Sequence, residues 1–267
     1  MDSTIIVLGL GEVGKPMYEI LGQRFDAIGV DIRPVEVDRQ CDIMHICYPY
    51  QSSGFIQTSI TYINKYNPFL TIINSTVPVG TTRIIEKRTG KRVVHSPVRG
   101  KHSKMKSDLL DYTKYIGGSD YASSLRASEH FQCCGIKTKI LSSPEATELA
   151  KLTETSYFGL LIAWAQEVER YCEQLDLTYD EVASFYDEIK FLPPVKYYPG
   201  VIGGHCVMPN IDILKQRVDS RLLDAIVESN SRKDASTKRN LQQARPSEMA
   251  APRHGSQSAR TAVVKED

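Results

Sequence analysis

The chain has 267 residues and a formal charge of +1, long enough for two domains and too evenly charged to signal a nucleic-acid or membrane-surface partner. No run approaches the roughly 18 apolar residues of a membrane helix. The six cysteines, Cys41, Cys47, Cys133, Cys134, Cys172 and Cys206, show neither paired CxxC spacing nor a small-scaffold pattern. That argues against bound metal and a disulfide framework, and for a reducing, cytoplasmic setting.

Thr4–Leu8 is a short β-branched run that reads as a buried strand, followed at once by Gly9-Leu10-Gly11-Glu12-Val13-Gly14 and a helical pattern through Met17, Ile20 and Leu21. In a strand–turn–helix setting this spacing is a dinucleotide signature. Gly9 permits the tight turn, Gly11 lets a pyrophosphate approach the backbone, and Gly14 lets helix and strand pack closely. Glu12 and Val13 lie where the helix N-terminus would face the phosphates. A second strand, Ala27–Val30, ends at Asp31, twenty residues after Gly11. A carboxylate there accepts from ribose hydroxyls and repels a 2′-phosphate, which favours NAD over NADP, although Arg33 tempers that preference. The alternative is a glycine-rich turn that binds no dinucleotide.

Asp42–Cys47 reads as a third strand ending at Tyr48-Pro49, Ser53–Tyr66 as a crossover helix, and Phe69–Asn74 as a strand leading into Ser75-Thr76-Val77-Pro78. Val93–His95 leads to Ser96-Pro97, and Lys114–Gly118 is a late strand. Such alternation predicts an α/β fold with a Rossmann-type, doubly wound parallel sheet over residues 1–143, with the loops at Gly9, Tyr48, Thr76 and Pro97 on one rim. Tyr48 and Thr76 are therefore further cofactor candidates. The Thr76 hydroxyl either serves a ligand or satisfies its own turn.

From Pro144 the character changes to all-α. Residues 145–175 carry helical spacing through Leu149, Leu152, Ser156, Leu160, Ala163, Trp164, Val168, Tyr171 and Leu175, an element of roughly 45 Å. Ser142 or Ser143 is its N-cap, with Pro144 in the first turn. Lys151 and Thr155, four apart, share one face, though lysine there is equally a solvated surface residue. Asp176–Asp187 predicts a short helix, and Leu214–Ser229 one more. Between them Pro199–Asn210 is a glycine-rich, proline-bounded loop displaying Cys206, either a nucleophile or a small buried hydrophobe. A helical domain over 144–229 carries that loop. Residues 230–267 lack periodicity, and from Ser231 hold eight Lys/Arg against four Asp/Glu, which predicts a disordered tail.

In order along the chain, Gly9–Gly14, Asp31, Ser75-Thr76-Val77-Pro78-Val79-Gly80-Thr81, Ser96-Pro97, Gly117-Gly118, Glu148-Leu149-Ala150-Lys151, Glu167 with Cys172-Glu173, and Gly203-Gly204-His205-Cys206 resemble the UDP-glucose/GDP-mannose dehydrogenase family, nearest its UDP-N-acetyl-hexosamine branch. The resemblance implies four-electron oxidation of a sugar primary alcohol by two NAD molecules, and a homodimer through the long helix. It implies Cys206 as nucleophile, Lys151 as oxyanion-stabilising cation and Thr76 as an ordering hydroxyl. Three positions depart from the pattern: Val98 stands for the glutamate of thioester hydrolysis, Thr155 for an asparagine, and Asn210 for an acid–base aspartate. Asn210 keeps hydrogen bonding without proton acceptance. The family's C-terminal nucleotide-sugar domain has no expected counterpart in residues 230–267. The departures leave two alternatives: an NAD-binding sensor or partner subunit that has lost catalysis, and a single-step β-hydroxyacid-type dehydrogenase using Lys151.

Overall fold

A computed structural model of the chain describes residues 4–31, 35–50, 54–100, 102–187, 189 and 197–244. Arg33, Ser53, Pro193-Pro194 and residues 245–267 lie outside them. The chain divides into two compact units between Thr153 and Glu154, ten residues later than the change of composition at Pro144.

The first unit is a seven-stranded sheet. Its strands are β1 (Thr4–Leu8), β2 (Asp26–Val30), β3 (Cys41–Ile46), β4 (Leu70–Ile73), β5 (Val93–His95), β6 (Lys114–Gly118) and β7 (Thr138–Ile140), in spatial order β2-β1-β3-β4-β5-β6-β7. All neighbours are parallel except β5 and β6, which run antiparallel. The period of two along β1 sends Ile5 and Val7 to one face and Ile6 and Leu8 to the other, and all four are buried. On the Ile5 face lie α1 (Gly14–Leu21), α4 (Met105–Asp111) and α5 (Tyr121–Cys133), through Met17, Leu21, Leu109 and Phe131. The Ile6 face is covered by α2 (Phe55–Tyr66) and α3 (Thr81–Thr89), through Phe55, Ile63 and Ile85. Helices on both faces make the sheet doubly wound, a Rossmann-type fold.

Beneath its C-terminal rim the sheet buries a set of basic groups, His45, His95, His130 and Lys114. Asn74 Nδ2 lies 3.3 Å from His45 Nδ1, and His45 Nε2 lies 2.9 Å from His130 Nε2. An amide nitrogen only donates, so His45 Nδ1 accepts, its Nε2–H donates, and His130 accepts. His95 donates Nε2–H to the Ser75 carbonyl, and Lys114, 3% exposed, donates to the Ser96 carbonyl at 2.6 Å. Burial pushes all four groups toward the neutral form: His130 down to about 4, His95 to about 3, Lys114 to about 7, and His45 well below the ordinary range. A base depressed in the fold binds its proton only on unfolding, so stability is present above the unfolded pKa of 6.5 and is lost as pH falls below it. Each histidine then contributes a loss of about 2 kcal/mol between pH 6.5 and 5, at about 1.4 kcal/mol per pH unit. Urea midpoints should therefore drop steeply between pH 7 and 5; a flat profile would show that these histidines are already protonated in the fold.

The second unit holds most of α6 (Pro144–Gln174), together with α7 (Tyr179–Ser184), α8 (Val207–Lys215) and α9 (Arg221–Ala244). Ser143 Oγ caps α6 at the Ala146 N–H, 3.2 Å away, as its sequence predicts. The buried residues of α6 mix apolar Leu152, Ile162, Ala163 and Val168 with polar Ser156 and Gln166, while Leu149, Trp164, Tyr171 and Leu175 of the predicted stripe are exposed. Gly159 marks the crossing with α8 and α9, where an added Cβ would lie 2.7 Å from Val207 Cγ1 and 3.5 Å from Ile226 Cγ2.

Two expectations need correction. The Pro199–Asn210 segment is a loop only to Cys206, because α8 begins at Val207 and accommodates Pro209 in its first turn, where a missing N–H costs nothing. The single helix expected at 214–229 becomes α8 and α9, and α9 runs on to Ala244 through residues assigned to a disordered tail. The ion pairs Lys233–Glu169 and Lys238–Asp234 support that extension.

Candidate functional site

In the first unit the expected rim is assembled. β1, β3, β4 and β5 end level, with Leu8 opposite Ile46, Ile46 opposite Ile73, and Ile73 opposite His95. The ladder continues past the strands, Gly9 N–H donating to Val30, Cys47 to Leu8, Asn74 to Ile46 and Ser96 to Ile73. The loops at Gly9, Tyr48, Thr76 and Pro97 therefore leave the sheet side by side.

The three glycines serve three different ends. Gly9 has φ +84°, and its missing Cβ would lie 2.8 Å from Tyr48 N, so only glycine makes this turn against the neighbouring strand. A Cβ on Gly14 would fall 1.7 Å from the Gly9 carbonyl oxygen. Nothing stands within 4 Å of the Cβ position of Gly11. The first and third glycines are demanded by the fold; the second is demanded by nothing the fold contains. Gly11 and Glu12 are exposed, Val13 is half-buried, and the start of α1 has neither a side-chain cap nor an acidic residue in its first turn. The N-terminal, positive end of α1 thus opens onto the space at Gly11, a fit for a dinucleotide pyrophosphate. Asp31, exposed, follows the last residue of β2.

Tyr48 packs on that turn, but its hydroxyl meets Ser59 Oγ of α2 at 2.7 Å, and burial raises its pKa to about 12. In the β4–α3 connection, Ser75 Oγ donates to the Tyr48 carbonyl at 2.6 Å. The neighbouring Thr76 hydroxyl has no hydrogen-bond partner among the described residues. Its own turn does not use it. Val98, half-buried, packs against the core of the Ile5 face and brings no proton acceptor.

Lys151 lies one turn along α6 from Glu148, a residue whose part in the site spacing alone did not show. Glu148 is fully buried and accepts from Gly80 N–H at 2.6 Å, Thr82 N–H at 2.9 Å and Thr82 Oγ1 at 2.7 Å. Burial raises its pKa, and these three donors oppose the rise. Glu148 thus caps α3 from another helix and fixes the register of Lys151, whose charge bears on His95 and Lys114. Glu148→Ala should cost about 3–5 kcal/mol by stranding buried donors. Glu148→Gln should cost less, since its amide keeps one acceptor and turns NH₂ toward a donor. Chemical denaturation of the two variants measures the difference.

In the second unit Cys206 is half-buried at the N-cap position of α8, behind exposed Gly203, Gly204 and His205. A helix N-terminus favours negative charge. Asn210, 6% exposed, donates Nδ2 to Thr155 Oγ1 at 3.1 Å. Two of the three departures noted in the sequence, Thr155 and Asn210, are therefore one pair.

Residues 145–232 match the model of the UDP-glucose/GDP-mannose dehydrogenase family, central domain. The UDP-N-acetyl-D-mannosamine dehydrogenase of Methanocaldococcus jannaschii is 28% identical over 253 residues, covering 76% of this chain and 59% of the relative. By these matches the chain is similar to the UDP-glucose/GDP-mannose dehydrogenase family. A second relative within that family, the UDP-N-acetyl-D-mannosamine dehydrogenase of Escherichia coli K12, is 24% identical, covering 86% of this chain and 70% of its own length. The solved UDP-D-ManNAc dehydrogenase of Pyrococcus horikoshii shares the fold at a TM-score of 0.78 and 22% identity, over 90% of this chain and 71% of the other. The chain thus spans 59% of the length of the first curated relatives it matches. Among the described residues no helix is long and apolar enough to cross a membrane.

Proposed function

We propose that this chain is the NAD-binding and thiol-bearing part of a nucleotide-sugar dehydrogenase that oxidises a primary alcohol through Cys206. The glycine turn carries the reading, because the vacant space at Gly11 answers no need of the fold and answers that of a dinucleotide. Gly9, Gly11, Glu12, Val13 and Gly14 would hold the pyrophosphate, Asp31 the ribose hydroxyls, and the Tyr48 and Thr76 loops the remaining rim. Bound there, NAD accepts hydride.

The protein's own groups do the rest. The Cys206 thiolate adds to the aldehyde carbon, giving a thiohemiacetal that loses hydride to become a thioester, which water then cleaves. Lys151 supplies positive charge for the developing oxyanion, and Thr76 offers an uncommitted hydroxyl for water or substrate. Asn210 holds a hydrogen bond and takes no proton. With Val98 packed against the core and Asn210 paired to Thr155, hydrolysis lacks a carboxylate at these positions, which favours as second reading an oxidation that stops after one hydride. Homodimerisation through α6 is part of the proposal, supported by exposed Tyr157, Trp164 and Tyr171 at a seven-residue repeat on one face.

A panel of UDP- and GDP-sugars, followed by NADH absorbance with product analysis, tests the reading. Turnover is expected with an N-acetyl-hexosamine nucleotide. One NADH per substrate would select the single-step variant, and saturable NAD binding without turnover on any sugar would leave only the non-catalytic alternative.

A further inference from the structure

Upstream of Cys206 the backbone has a problem that glycine loops normally leave to water. Ile202 is 6% exposed, lies in no strand, and carries a backbone N–H and C=O that both require partners once buried. One side chain answers both. Asn230 of α9 accepts from Ile202 N–H through Oδ1 at 2.7 Å and donates Nδ2 to Ile202 C=O at 3.1 Å, the two-point pairing a neighbouring strand would make. Gln166 of α6, fully buried, donates to the Gly200 carbonyl at 2.6 Å and reaches Asn230 Oδ1 at 3.4 Å. Its own Oε1 accepts from Ser229 Oγ at 3.0 Å, and Ser229 Oγ in turn receives Arg170 at 2.8 Å. The amide orientations of Gln166 and Asn230 are thereby set by neighbours whose roles are fixed.

Downstream the contrast is sharp. Gly203, Gly204 and His205 are exposed, Gly204 takes φ +75°, and nothing stands within 4 Å of a Cβ on Gly203. The next fixed point is α8, which starts one residue past Cys206. The loop is therefore anchored upstream at Gly200 and Ile202 and downstream at the first turn of α8, with the thiol immediately before the latter.

We infer that Asn230, seconded by Gln166, is a positioning residue for Cys206: its side-chain amide is the upstream clamp that fixes where the thiol-bearing loop leaves α6 and α9. The inference rests on Cys206 being the nucleophile, and it gives the polar stretch of α9 a role. Asn230 touches no reacting atom; it acts through Ile202.

The test compares Asn230→Asp, isosteric but without the NH₂ donor to the Ile202 carbonyl, with Asn230→Ala, which removes both contacts, in the full chain. Iodoacetamide labelling of each cysteine, followed by mass spectrometry across a pH series, reads the thiol without substrate, and Cys133, exposed in the other unit, is the internal reference. The Cys206 labelling profile should shift in both variants, with a rate change of about fivefold or more in Asn230→Ala and a smaller one in Asn230→Asp, while Cys133 stays constant. In steady-state assays kcat should fall by about 10²-fold in Asn230→Ala with KM for NAD unchanged, the cost typical of a misplaced reacting group. Unchanged Cys206 labelling in folded variants would overturn the inference, as would failure of both variants to fold, which would make Asn230 a purely structural link. If the parent protein turns over no nucleotide sugar, the functional reading fails while the labelling result still decides the clamp.

Discussion

Cys206→Ser is expected to abolish the second oxidation and leave cofactor binding intact. Removing hydride from an alcohol carbon needs a base and an acceptor but no thiol. Removing it from an aldehyde needs a covalent adduct first, and serine at neutral pH has no comparable fraction of anion to form one. With the nucleotide-sugar aldehyde as substrate, NADH formation should fall by about 10³-fold or more, a loss of about 4 kcal/mol of transition-state stabilisation. NAD affinity should hold, because the glycine turn belongs to the other unit. In the parent protein release of the thioester by water should be the slow step, since neither Val98 nor Asn210 is a carboxylate that would activate that water. A serine variant that oxidises the aldehyde at the parent's rate would end Cys206's claim to the chemistry.

The second large effect separates two glycines three residues apart. Gly14→Ala places a methyl 1.7 Å from the Gly9 carbonyl, a distance that side-chain adjustment cannot relieve because the obstacle is backbone. It should destabilise the first unit by about 4 kcal/mol or more, as backbone overlap in a core does. Gly11→Ala meets nothing within 4 Å, so stability should change by no more than about 0.5 kcal/mol, while NAD affinity falls by about 100-fold, near 3 kcal/mol, because the methyl occupies the pyrophosphate's approach. Calorimetric unfolding together with NAD titration distinguishes the two. If Gly11→Ala bound NAD as well as the parent, the space in front of α1 would have another use.

This division of labour was legible in the sequence because GxGxxG between a strand and a helix encodes local geometry. The strands of the first half were equally open to reading, each a β-branched run with turn residues at its ends. Two helices of that half were not. The buried face of α5 is Ser123, Ser124, Ala127, Ser128, His130 and Phe131, and that of α3 is Thr81, Thr82 and Ile85, so neither shows the apolar period on which a helix is recognised. The same reason hid the His45–His130 pair and the Glu148 cap, polar groups whose burial depends on partners distant in sequence. The end of α9 failed differently: Ser, Lys, Arg and Asn suggested a tail, yet no glycine or proline interrupts Arg221–Ala244, and ion pairs carry the helix on. At Cys206 the sequence singled out a candidate but not its setting, because Pro209 looked like the end of a loop and is instead part of a first helical turn.

Gly159 acquires a further meaning from its place at the helix crossing. The atom closest to its absent Cβ belongs to Val207, the residue bonded to Cys206. Helices packed through ordinary side chains keep their axes 8–10 Å apart, and a glycine at the contact lets them settle nearer. The depth at which the thiol rests is therefore written 47 residues before it, in the absence of a single methyl group. Any descendant of this chain that filled that notch would keep its cysteine, its loop and its clamp, and still present the sulfur at a different height.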